Sequence, residues 1–157
     1  MTILSRGAAA LAIALALAAC DGLITGEKAL SLPVEVNAQG GYGPLRLALT
    51  PDQSPVALNL RAEHAVNIAD QVKWNSYIAT LTFNGREVAA GKFTINYQGG
   101  PEGQPGAPQI LQNMLTARVA EAGDYELVVA PIKPIEVKLS NVRIEMRAKV
   151  EGNANLR

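Results

Sequence analysis

Apolar and polar residues alternate with a period of two through most of this chain, and no other feature constrains its fold as tightly. Leu30, Leu32, Val34 and Val36 alternate with Ser31, Pro33, Glu35 and Asn37. Leu45, Leu47 and Leu49 follow, then Val56, Leu58, Leu60 and Ala62. Successive side chains of a strand point to opposite faces, so such runs predict strands with one buried face, as in antiparallel sheets. The breaks between them are turn-forming, as at Gly40-Gly41-Tyr42-Gly43-Pro44 and Pro51-Asp52.

The sharpest local signal is in the middle of the chain. Tyr77, Ala79, Leu81 and Phe83 lead into Asn84-Gly85, and Phe93, Ile95 and Tyr97 alternate beyond it. Asn-Gly tolerates positive φ at both positions, which predicts a type I′ hairpin. Ala89-Ala90-Gly91 is the candidate bulge in the returning strand. Residues 98–108 form a Gly- and Pro-rich loop. Residues 109–115 admit two readings: a short helix, with Leu111, Met114 and Leu115 on one face, or a strand. Tyr125, Leu127 and Val129 alternate next, and Pro131 and Pro134 suit an edge strand. In the last run Ile135, Val137 and Leu139 have odd parity, whereas Val142, Ile144, Met146, Ala148 and Val150 have even parity. That change predicts a bulge or bend at Ser140-Asn141, with Arg143, Glu145, Arg147 and Lys149 on a solvated face. The sum is an all-β chain, an antiparallel β-sandwich of eight or nine strands over residues 29–150, with a frayed tail at 151–157.

The N-terminus is of another kind. Residues 1–19 carry one charged side chain, Arg6, ahead of twelve residues from Ala8 to Ala19 that are all apolar. A short positive region, an apolar stretch and small residues before a cut are the marks of an export signal. As a helix the stretch would reach only ~18 Å, short of a ~30 Å hydrocarbon core. The stretch closes on Leu17-Ala18-Ala19-Cys20, which resembles the lipobox of bacterial lipoproteins. That resemblance implies cleavage between Ala19 and Cys20, a diacylglyceryl thioether on Cys20, acylation of the new amino group by a fatty acid such as palmitate, and a cell-envelope location. Two or more acyl chains hold a protein stably, at about 0.8 kcal/mol per buried CH₂. Asp21 resembles the signal that retains enteric lipoproteins in the inner membrane; the outer membrane is the alternative. Residues 20–28 are then the lipidated Cys and a tether, and Asp21 to Lys28 spans at most ~26 Å.

Composition narrows the function. Removing residues 1–19 leaves 138 of the 157 residues, enough for one domain. Its 13 basic and 14 acidic side chains are scattered, without the concentrated positive footprint that nucleic acid requires. Cys20 is the only cysteine, so the domain has no disulfide of its own and no free catalytic thiol once Cys20 is lipidated. His64 is the only histidine, and no nucleophile motif accompanies it. Gly85 to Phe93 resembles a phosphate loop only superficially, with five residues between its glycines and Phe93 where Ser or Thr is needed. Neither a metal-ligand cluster nor a calcium loop is present in the sequence, and no cofactor is expected. The phrase Ala122-Gly123-Asp124-Tyr125-Glu126-Leu127 resembles the Gly-x-Tyr strand opening of immunoglobulin-like sandwiches, although their Cys…Trp…Cys pattern is absent.

These features point to a non-enzymatic lipoprotein facing the periplasm. It would bind the bilayer through Cys20 and an envelope protein through its sandwich, as an accessory or assembly subunit. Trp74, Tyr77, Tyr42 and Tyr97 are the amphipathic aromatics available to a binding surface. The alternative is a glycan- or peptidoglycan-binding module in which these rings form a stacking platform.

Overall fold

Asn84 and Gly85 sit at the tip of a hairpin with φ of 51° and 74°, the left-handed pair that a type I′ turn requires. A computed structural model describes residues 26–64, 72–96 and 109–151. In it the hairpin strands are β4, Trp74–Phe83, and β5, Arg86–Asn96. The chain on either side continues the same antiparallel ribbon. β3, Val56–His64, pairs with β6, Gln109–Ala117; β2, Tyr42–Leu49, pairs with β7, Gly123–Pro131; β1, Glu27–Pro33, pairs with β8, Leu139–Ala148. The ribbon is rolled so that β8 also pairs with β3, and β7 with β4. Two four-stranded sheets result, β1-β8-β3-β6 and β2-β7-β4-β5. This is the eight-stranded jelly roll, a β-sandwich whose strand order differs from that of immunoglobulin domains. Tyr125, at the start of β7, donates its hydroxyl to the Glu121 carbonyl at 2.9 Å.

The inward residues are those that alternation selected. Leu58, Leu60, Ala62, Ile144 and Met146 of the first sheet meet Leu47, Leu49, Ala79, Leu81 and Leu127 of the second in one buried cluster. Fully burying such a side chain contributes roughly 1.5–3 kcal/mol, so the core holds the two layers together.

The structure decides some local expectations and corrects others. Residues 109–117 are a strand: a register shift opposite Leu58/Asn59 lets Met114 and Leu115 both turn inward, which mimics helical spacing. The bulge in β5 falls at Val88, where the register moves from Leu81↔Ala89 to Thr82↔Glu87. Gly91 has a different task, since a Cβ there would lie 2.0 Å from the Met114 carbonyl oxygen. β5 and β6, edge strands of different sheets, meet at that point. Residues 132–138, including Ile135 and Val137, form a loop, and β8 begins only at Leu139. The parity change at Ser140-Asn141 is a bulge, with Asn141 at φ 50°. β7 is an inner strand, and Pro131 is tolerated there as its last residue. Glu27 and Lys28, assigned to the tether, already pair with Ala148 and Arg147, so the sandwich begins two residues earlier.

Candidate functional site

The sandwich has two ends, and they differ. One holds Gly26, the turn at Pro51–Gln53, the Asn84-Gly85 tip and the start of β7. Backbone bonds close it, Lys149 N to Gln53 O at 2.8 Å and Val150 N to Pro55 O at 3.1 Å. The opposite end holds the close of β1, the start of β4 and the loop 132–138. Most of the large exposed apolar side chains among the described residues lie there, Val36 (62% exposed), Val72 (81%), Trp74 (46%), Ile132 (51%) and Ile135 (37%), whereas Val88 lies near the Asn84-Gly85 tip and Val128 within β7.

Asn75 shapes this end. It is fully buried, on the same face of β4 as Tyr77, Ala79 and Leu81. Its Oδ1 accepts from Glu136 N at 3.0 Å and Val137 N at 2.9 Å, and its Nδ2 donates to Val137 O at 2.7 Å and to the Tyr77 hydroxyl at 3.1 Å. One amide thus supplies the bonds that the loop backbone would otherwise lack. A further bond from Ile132 N to Ser76 O at 2.8 Å fixes the start of the loop. The fixed loop sets Lys133 Nζ 3.5 Å above the Trp74 ring and 2.6 Å from Glu136 Oε2. The Trp74 amide donates to the same carboxylate at 3.3 Å. The Lys133 bond, aided by the Trp74 amide, holds the Glu136 carboxyl below its usual range.

Of the four aromatics singled out in sequence, Trp74 alone among the described residues lies on the surface. Tyr42 and Tyr77 are core residues, their ring centroids 6.1 Å apart, and Tyr77 stacks on Phe93 at 5.2 Å. Burial pushes both phenols above their usual range. Even-numbered Trp74 and odd-numbered Tyr77 face opposite sides of β4, so these two rings do not share a face. Tyr97, Ala19, Cys20 and Asp21 lie outside the described residues. His64 ends β3 opposite Leu139, and its side chain also lies outside the described set. Among the described residues, no three of His, Cys, Asp or Glu converge as metal ligands, and no helix is long and apolar enough to cross a membrane.

The outer face of the first sheet departs from the sequence reading too. Glu145 and Arg147 are buried rather than solvated. Arg147 Nε donates to Glu145 Oε1 at 2.9 Å, Arg61 Nε donates to Oε2 at 3.2 Å, and Lys28 Nζ lies 3.7 Å from Oε2. Alternation placed them outward correctly, but it does not show that long basic side chains converge on one carboxylate. Asn75 was legible in principle, as a polar residue at a core parity.

Comparison with protein-family models, with curated proteins and with solved structures finds no match to this chain.

Proposed function

We infer that the chain is a lipid-anchored protein of the bacterial cell envelope, held at Cys20, whose jelly roll binds a protein partner and catalyses no reaction. The observation that carries this reading is the opposition of the two ends. The chain enters the sandwich at Gly26, whereas Val36, Trp74, Ile132 and Ile135 are exposed at the other end. Asp21 to Gly26 provides at most ~20 Å of extended chain, because β1 already starts at Glu27. An anchor at Cys20 would therefore hold the entry end near the bilayer and point the apolar end into the periplasm. Trp74, at the start of β4 beside a fixed loop, loses little further entropy on association, and Trp is a frequent interface anchor. Tethering would raise the effective concentration of the domain near partners on the same membrane. Asp21 favours the inner membrane.

The test is in vivo photo-crosslinking with a photoreactive amino acid at Ile132 or at Arg86, one at each end of the sandwich. A discrete protein adduct from position 132 and none from 86, lost in Cys20→Ser, is expected. Equal labelling from both ends, or an adduct untouched by Cys20→Ser, contradicts the reading.

A further inference from the structure

We propose that Arg61 and Arg143 form a clamp for a carboxylate presented by another molecule. The two arginines stand directly opposite each other on β3 and β8. Both point outward, since their neighbours Leu60, Ala62, Val142 and Ile144 are buried inward. Like charges in that register repel, so the pair requires compensation. Arg61 has it in Glu145, at 3.2 Å. Arg143 does not. Its Nε and Nη2 donate to the hydroxyl and carbonyl of Ser31, each at 2.9 Å, and both acceptors are neutral. Among the described residues Arg143 takes part in no ion pair.

Both arginines line one cleft of about 280 Å³, with Pro33, Glu63, Asn141 and Val142. The space is slightly below the ~300–1,000 Å³ of sites for drug-sized ligands, and suits a group the size of one side chain. Glu63 is already engaged, its Oε2 accepting from Asn141 Nδ2 at 2.6 Å. Along the same face Lys28 and Arg147 share Glu145 with Arg61. Among the described residues, Arg143 is thus the cation of this cleft that no carboxylate pairs.

A guanidinium matches the two oxygens of a carboxylate or a phosphate equally well in shape. Charge separates them. A phosphate monoester is close to a dianion at pH 7. Glu63 and Glu145 oppose it more strongly than a monoanionic carboxylate. The clamp therefore selects an Asp or Glu side chain, or a chain terminus, of a partner. It does not depend on the anchor at Cys20.

The experiment is fluorescence anisotropy with a labelled tetraglutamate peptide and the full-length chain in non-ionic detergent. Binding is expected to saturate, to weaken about tenfold in Arg143→Gln, and to recover in part in Arg143→Lys. Glu63→Gln is expected to tighten it about threefold, the scale of one exposed charge pair. Acetate is expected to displace the peptide at lower concentration than inorganic phosphate. Absence of saturable binding, or equal binding by wild type and folded Arg143→Gln, overturns the proposal. Stronger competition by phosphate overturns the preference for a carboxylate. If Arg143→Gln does not fold, Glu63→Gln decides alone, and an unchanged affinity refutes the clamp.

Discussion

Asn75 stands where strand parity asks for an apolar side chain, and the loop 132–138 depends on it. Replacing it with Ala leaves the amides of Glu136 and Val137 and the Val137 carbonyl without their partner in a buried setting. A loss of about 2–4 kcal/mol of stability is expected, read as a lowered midpoint in urea. A smaller loss, within ~0.5 kcal/mol, would mean that the amide does not hold the loop. Gly91 is a second such residue, for steric reasons. Gly91→Ala would drive a methyl group into the Met114 carbonyl, and destabilisation by about 1–3 kcal/mol is expected from the same titration. Gly85→Ala is the contrast: nothing lies within 4 Å, so its cost is the strain of a positive φ alone.

At the scale of elements, the Trp74–Lys133–Glu136 cluster reports on the loop. The folded carboxyl of Glu136 titrates below the usual 4.5, so its contribution is present above that value and disappears as pH falls through the lower folded value. Trp74 emission is therefore expected to stay constant from neutral pH down to about 5 and to shift only below the usual Glu range, where Lys133 loses its partner. Glu136→Gln should remove that transition, as seen by fluorescence against pH. The strands and the Asn84-Gly85 tip were legible in sequence because alternation and turn chemistry are local. The Met114-Leu115 bulge was not, because two consecutive inward residues break the period on which the reading rests. The loop at 132–138 was misread as strand because Ile135 and Val137 keep the parity of Leu139. Asn75, 62 residues away from Val137, holds Glu136 and Val137 in the loop. The outward Glu145 and Arg147 were read as solvated because a strand pattern gives the face and not the cover.

At the scale of the molecule, rolling one ribbon double explains why the hairpin tip and the N-terminal entry share an end. Four strands in each half of the ribbon return its tip to the end where β1 starts, beside the β2–β3 and β6–β7 connections, and leave the β1–β2 and β7–β8 connections at the other. An alternating sequence announces a sandwich, but not which strands neighbour each other, because each inward face fits either layer. The proposed anchor belongs to this scale as well, since it gives the two ends different surroundings. Cys20→Ser is expected to abolish acylation and processing, seen as a precursor about 19 residues longer in gels of fractionated cells. The most direct test is intact-mass and N-terminal peptide mass spectrometry of the chain extracted from bacterial membranes. A mature chain that begins at Cys20 and carries a diacylglyceryl thioether is expected. A chain that begins at Met1, or an unmodified Cys20, would contradict it.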